Sequence, residues 1–179
     1  MRVMSVMLFA AMLAGCAAPS ADLPVQQSVD LKQYAGTWYE QARLPNRFQK
    51  ECVGDVQADY VLRADGTLGV TNRCRVTDGS TKTAQGEGRL AKAADRDNPA
   101  RLEVRFAPAW TSWLPMVWGD YWILKLEDDY QYSLVGTPDR KYLWVLSREK
   151  SADPAVVSRL LEYARTLDFP VDEVTRSAQ

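Results

Sequence analysis

An all-β fold, an eight-stranded up-and-down antiparallel β-barrel with one C-terminal α-helix packed outside it, is predicted by three features of this 179-residue chain. Eight consecutive short runs of strand character are separated by turn signals. The clearest of them alternates apolar and polar residues with period two, as a wall with one dry and one wet face requires. Only one later segment carries a helical stripe. Hairpin-like links between consecutive strands favour closure into a barrel, which removes exposed sheet edges; a two-sheet sandwich is the alternative.

The strands are expected at 36–44, 53–63, 67–77, 81–92, 101–107, 117–127, 130–137 and 141–148. Pro45-Asn46 ends the first. Asp65-Gly66 joins the second and third as a tight hairpin. Gly86 and Gly88 suggest a bend or bulge in the fourth. The fifth sets Leu102, Val104 and Phe106 on a dry face against Glu103 and Arg105 on a wet one. Asp128-Asp129 and Pro138-Asp139-Arg140 supply the last turns. Asp153-Pro154 opens a helix over 155–167, with Val156, Leu160, Leu161 and Ala164 on one stripe. An extended piece at 169–175 can then lie beside the first strand.

Residues 1–15 read as a lipoprotein signal peptide. Arg2 is followed by an apolar run over 3–13, too short to cross a bilayer by the ~20-residue criterion, and then by Leu13-Ala14-Gly15-Cys16. This resembles a bacterial lipobox, in which the Cys16 thiol takes a diacylglyceryl group and becomes the first mature residue. An ordinary signal cleaved at Ala17 or Ala18 is the alternative. Ala17 stands where an aspartate would favour inner-membrane retention in the enteric pattern, which points to the outer membrane. Acyl chains such as palmitate, at ~0.8 kcal/mol per buried CH₂, make a stable anchor. Residues 16–30, with Pro19, Ser20, Pro24, Gln26, Gln27 and Ser28, read as acylated cysteine and flexible tether, and 31–179 as one domain. Loss of 15 residues leaves 164, enough for a single core. Without Arg2 the count is 21 basic against 23 acidic side chains, a balance that does not suggest nucleic acid.

If Cys16 is acylated, Cys52 and Cys74 remain, in a compartment that permits disulfides. A regular hairpin turning at Asp65-Gly66 sets Cys74 opposite Gln57 and leaves Cys52 beyond the ~7 Å reach of a bridge. A disulfide therefore requires the chain near Gly54 to leave the ladder as a bulge; two free thiols are the alternative.

Gly36, Trp38 and Arg148 make sense together if the first and last strands meet at one closed end. There the Arg148 guanidinium can lie over the Trp38 indole, a contact contributing roughly 0.5–2 kcal/mol. Gly36-Thr37-Trp38-Tyr39-Glu40, Gly119-Asp120-Tyr121 and Leu146-Ser147-Arg148 resemble the three motifs of the lipocalins. With Asp139-Arg140-Lys141-Tyr142-Leu143-Trp144 they are similar to the bacterial outer-membrane lipoprotein branch close to apolipoprotein D. The likeness spans residues 31–174; Gly119 departs from the polar residue many members carry before the aspartate. The resemblance implies a calyx that binds a small lipophilic molecule, in this branch a fatty acid or lysophospholipid, here on a lipid-anchored, periplasm-facing outer-membrane protein.

Parity from these anchors gives Trp38, Glu40 and Ala42 one inward face, and Arg148, Leu146, Trp144 and Tyr142 another. Trp144, Tyr121 and Phe106 are the candidate ligand walls, and Tyr60 and Glu40 the candidate polar ends for a headgroup. A barrel filled by its own side chains produces the same pattern. The loop carrying Trp110, Trp113, Leu114 and Met116 is too apolar to leave in water: it folds over a mouth, dips into lipid headgroups, or packs on a neighbouring loop or a homodimer partner.

The chain has no histidine, which excludes histidine triads and histidine metal or haem ligation. Ser147-Arg148-Glu149-Lys150 fits the S-x-x-K string but ends a strand instead of opening a helix. Asp95-Arg96-Asp97-Asn98 lacks the sixth-position glycine and the twelfth-position glutamate of a calcium loop, with Phe106 in the latter place. The expectation is a binding protein without metal, cofactor or catalytic residues. A structural envelope lipoprotein with a filled barrel and a lipid-modifying enzyme on this scaffold rank behind it.

Overall fold

The computed structural model describes residues 23–91 and 98–179. The signal segment, Cys16 and Asp95 to Asp97 of the acidic turn lie outside the described residues. A one-turn helix α1 (Leu31–Tyr34) leads into β1 (Gly36–Arg43), β2 (Cys52–Leu62), β3 (Leu68–Val76), β4 (Thr81–Leu90) and β5 (Arg101–Arg105). Then come β6 (Gly119–Leu126), β7 (Tyr132–Gly136), β8 (Leu143–Ser147), helix α2 (Pro154–Thr166) and a short β9 (Thr175–Arg176). Each of the eight main strands begins and ends within two residues of its expected bounds.

Consecutive strands pair antiparallel in the order β2-β3-β4-β5-β6-β7-β8-β1, and β1 pairs back onto β2, with Gly36 opposite Tyr60 and Tyr39 opposite Gln57. The sheet is therefore a closed barrel, not a sandwich. β9 is added on β1, with Ala42 opposite Arg176; of the piece expected to be extended over 169–175 only Thr175 pairs there, and Val171–Glu173 form a 3-10 turn instead.

Strand alternation builds two cores on opposite faces of one wall. Trp38, Tyr60, Leu68, Leu102, Ile123 and Leu146 pack inside the barrel. Outside, Val157, Leu160 and Ala164 of α2 pack over Leu124, Leu134, Leu143 and Val145, with Phe169 and Val171 closing the edge. The Asp153 carboxylate caps α2 by accepting from the Ala155 amide at 2.8 Å, and Pro154 occupies the first helical position, where its missing N–H costs nothing. Val157 is buried in place of the expected Val156, which with Leu161 is only half-covered at the margin of the stripe.

Four other details differ from the sequence reading. Ala42 does not share the inner face of Trp38 and Glu40: the β1–β8 register shifts between Glu40 and Ala42, and this bulge turns Ala42 outward under α2. Arg105, expected on a wet face, is buried; its guanidinium donates to the Ala107 carbonyl and lies 5.2 Å from the Trp118 ring. Phe106 stands beyond the end of β5, half-exposed at its rim. The packed domain also begins earlier than the composition suggests, within the stretch expected to be tether. Leu23 and Val29 are buried, the Gln26 amide donates to the Ile123 carbonyl at 2.9 Å, and its side chain accepts from the Leu126 amide at 3.2 Å. Residues 23–30 are thus strapped to the barrel, Leu23 joining the outer cluster under α2 and Val29 the cluster that continues into the barrel.

Cys52 and Cys74 form a disulfide with their Cα atoms 5.6 Å apart. Gln57 opposes Arg73, not Cys74, and the register then shifts twice, to Gly54 opposite Arg75 and Cys52 opposite Val76. Asp55 takes a positive φ of 50° in this irregular stretch. The bulge that the bridge demands is present. Closing a loop of 22 residues stabilises the fold by about 3 kcal/mol through the unfolded chain's lost entropy. A Cys52→Ser/Cys74→Ser variant is expected to lose that amount in denaturant melts, and added reductant should then make no further difference.

Candidate functional site

One end of the barrel is shut by Arg148. Its guanidinium lies 3.9 Å from the Trp38 ring centroid and donates to four backbone carbonyls: Thr37 at 3.0 Å, Gln33 at 2.6 Å, Tyr34 at 3.2 Å and Tyr130 at 3.3 Å. The Trp38 indole N–H donates to the same Tyr34 carbonyl at 2.8 Å. Gly36 is required here. It has a φ of 101° and a Cβ at this position would come within 3.2 Å of the Arg148 Nη1 atom. The charged group thus ties the α1–β1 stretch to the chain just before β7 at the barrel bottom.

Above this plug lies a chain of phenols. Tyr60 donates to the Tyr121 hydroxyl at 2.9 Å, Tyr121 bonds Tyr34 at 2.8 Å, and Tyr34 bonds the Ser133 hydroxyl at 3.3 Å. Burial pushes the Tyr34 phenol up to about 12, and raises Tyr60 and Tyr121 further, helped by the neighbouring rings. All three stay neutral at physiological pH. They form a polar but uncharged floor.

A cavity of about 730 Å³ opens above them, within the ~300–1,000 Å³ range of small-molecule sites. Val56, Ala58, Val70 and Ala84 line one wall, and Val104, Trp144 and Leu146 line others. Trp144 stacks on Tyr142 with centroids 5.9 Å apart and planes 6° from parallel, and its indole N–H donates to Gln49 at 3.0 Å. Gly86 lets the wall bend inward: a Cβ there would lie 2.5 Å from the Arg105 carbonyl and 2.8 Å from the Phe106 ring. The Asn72 carboxamide oxygen, also on the wall, is buried without a hydrogen-bond partner.

The mouth is polar. Arg47, Arg73 and Lys82 border it together with Asp120 and Asp139. Arg73 is held by Asp59 and Lys82 by Glu51. Partial burial, then the neighbouring Glu103 and Asp139 carboxylates, raise the Asp120 carboxyl above its ordinary range. A raised acid binds its proton more tightly folded than unfolded, so its ionisation at neutral pH works against the fold. Asp120→Asn is expected to be slightly more stable than the parent at pH 7. That gain should shrink on acidification and vanish below the ordinary carboxylate range, as paired thermal melts would show.

The structure brings Tyr60, Tyr121, Phe106, Trp144 and Glu40 together around this cavity. Glu40 is committed to the framework: Arg43 and Ser177 bond one carboxylate oxygen and Gln49 the other, with 2.6 Å to Arg43 and to Gln49. Trp110 and Trp113 stand apart from the lining. From their loop Ala107, Met116, Val117 and Trp118 reach the cavity. Sequence reading missed Tyr34 and Ser133 of the phenol chain, and Trp118, which the Arg89 guanidinium covers at 3.6 Å. Only Trp118 carried a signal, its place directly before Gly119-Asp120-Tyr121.

A closed eight-stranded barrel with an arginine-capped tryptophan and an open cavity is matched by one family description. Residues 29–179 fit the model of the lipocalin-like domain. The chain belongs to the lipocalin family. Members of that family bind small hydrophobic ligands. The lipocalin is 35% identical over 159 residues to temperature-induced lipocalin-1 of Arabidopsis thaliana, covering 88% of this chain and 83% of that protein. It is 34% identical over 156 residues to the outer membrane lipoprotein Blc of Escherichia coli strain K12, covering 87% and 82%. Mouse (Mus musculus) apolipoprotein D is 31% identical over 165 residues, with 87% and 80% covered. Among solved structures, insecticyanin from the tobacco hornworm Manduca sexta superposes with a TM-score of 0.68 at 21% identity, over 88% of this lipocalin and 85% of that chain; this likeness concerns the fold alone.

Proposed function

We propose that this lipocalin is an acylated, periplasm-facing outer-membrane lipoprotein that stores or carries a single-chain amphiphile, a fatty acid or a lysophospholipid, by binding and without turnover. The observation that carries the reading is the open cavity of about 730 Å³, walled by apolar side chains and rimmed by charges. An acyl chain gains roughly 25 cal/mol per Å² of apolar surface removed from water, and the polar head can stay at the mouth among Arg47, Asp120 and Asp139. The phenol floor offers no charge to attract an ion inward. A purely structural lipoprotein would be expected to fill its barrel, and the cavity argues against that. The lipobox-like Leu13-Ala14-Gly15-Cys16 and Ala17 support the anchor and the outer membrane, and the outer-membrane lipoprotein relatives agree with it.

Titration of the protein with palmitate and with a palmitoyl lysophospholipid tests the reading through tryptophan fluorescence, since Trp144 lies in the wall. Saturable quenching at one ligand per chain is the expected result. No saturable change with either lipid would overturn the carrier function.

A further inference from the structure

We propose that this lipocalin docks mouth-first on the same lipid surface that holds its acyl anchor, with Trp110, Trp113 and Met116 seated among the headgroups. The proposal rests on the reading of Cys16 as acylated and names the surface from which the cavity is loaded.

Trp110 is 77% exposed, Trp113 73% and Met116 83%, the three most exposed large apolar side chains described. They are presented by a built loop, not by loose chain. The Thr111 hydroxyl donates to the Pro108 carbonyl at 2.6 Å, the Trp118 indole N–H donates to the Ser112 carbonyl at 2.8 Å, and Arg89 clamps the Trp118 ring. A loop this well tied has no packing reason to face both indoles outward. Indoles sit well at a membrane interface, where an apolar ring and one N–H meet apolar and wet surroundings together.

The patch is continuous with the cavity. Met116 belongs both to the loop and to the lining, and Phe48 and Phe106 add exposed rings at the same rim. Arg47 lies 4.9 Å from the Phe48 ring and has no carboxylate at ion-pair distance among the described residues. A cation beside an aromatic ring fits the phosphate level of a bilayer.

Chain length then fixes the orientation. Leu23 shares a packed cluster with Leu44 and Leu143, which meet through a backbone bond of 3.0 Å at the mouth ends of β1 and β8. Residues 23–30 run from there towards the closed end, where the Asp30 amide meets Tyr130. The chain therefore leaves the barrel on its mouth half. Cys16 is only seven residues before Leu23, a reach of at most about 25 Å, close to the ~26 Å length of an eight-residue strand. An anchor so short holds the mouth near the membrane and leaves little room for it to face away. A second copy of the chain is the competing occupant of the patch.

The test uses the mature chain purified from membranes and reconstituted in vesicles of phosphatidylethanolamine and phosphatidylglycerol with brominated acyl chains. Wild-type tryptophan emission should be quenched at least about twofold more than that of Trp110→Ser/Trp113→Ser, more strongly by bromines near the headgroups than by deep ones. Loading of a lysophospholipid from the vesicles should slow at least about tenfold in the variant, while its affinity for the same lipid in solution stays unchanged. Equal quenching in the two proteins overturns the proposal, as does a dimer that shields Trp110 and Trp113 without vesicles, or a Cys16 found unmodified by mass. Quenching in a protein that binds no lipid in solution would sink the carrier reading and leave the docking standing.

Discussion

Trp38→Ala is expected to destabilise the protein by about 3–5 kcal/mol, the range for an aromatic-to-alanine change in a packed core, against a total stability on the order of 5–15 kcal/mol. Trp38 has no exposed surface. Its ring fills the barrel bottom between Tyr34, 5.0 Å away, and the Arg148 guanidinium. Truncation leaves a void that the closed sheet cannot collapse into, removes the indole hydrogen bond, and strips the half-buried cation of its aromatic face. Burial already lowers the Arg148 pKa, so that charge depends on the carbonyls and the ring around it. Chemical denaturation followed by circular dichroism measures the loss. Trp38→Phe should retain more than half of the stability that alanine forfeits, since it keeps a ring over which Arg148 can lie. A cost under about 1 kcal/mol for the alanine variant would show that the cap does not hold the barrel shut.

Trp144→Ala should raise the dissociation constant for a single-chain amphiphile by about 10- to 50-fold. The ring covers the wall as one half of a stacked pair, and losing on the order of 60–90 Å² of ligand contact at ~25 cal/mol per Å² amounts to roughly 1.5–2.3 kcal/mol. The stability cost should be smaller, about 1–2 kcal/mol, because the side chain is half-buried and faces open space. The two readouts separate the possible roles. A carrier loses affinity more than stability; a barrel whose side chains fill it loses stability alone. Titration and denaturation of the same variant decide between them, with Gln49→Ala as a positioning control that removes the acceptor for the indole N–H and leaves the ring.

Much of this could be read before the fold was seen, and for definite reasons. Alternation with period two located the strands, and Trp38 with Arg148 located the closed end, because both signals are local or pairwise. What escaped depends on contacts far apart in the chain. Tyr34 bonds Tyr121 and Ser133 across 87 and 99 residues, and its position in a short turn gives no hint of either. The bulge that turns Ala42 outward adds one residue to a strand whose composition does not change there. Glu40 was legible as inward-facing, yet its partners Gln49 and Ser177 come from a loop and from the chain just after β9, so its framework role was not. Residues 23–30 look polar on average, and the two packed clusters select Leu23 and Val29 out of that average. A bulge near Gly54 in β2 was inferred from the cysteines only because a covalent bridge imposes a distance; that the register shifts twice there was not.

The most direct test of the account is native mass spectrometry, with lipid extraction, of the domain freed of its signal and carrying Cys16→Ser. The cavity above the phenol floor predicts one bound fatty acid or lysophospholipid per chain, lost or weakened in Trp144→Ala. A protein that flies empty, and stays empty after incubation with both lipid classes, would contradict the claim that this barrel is a ligand site.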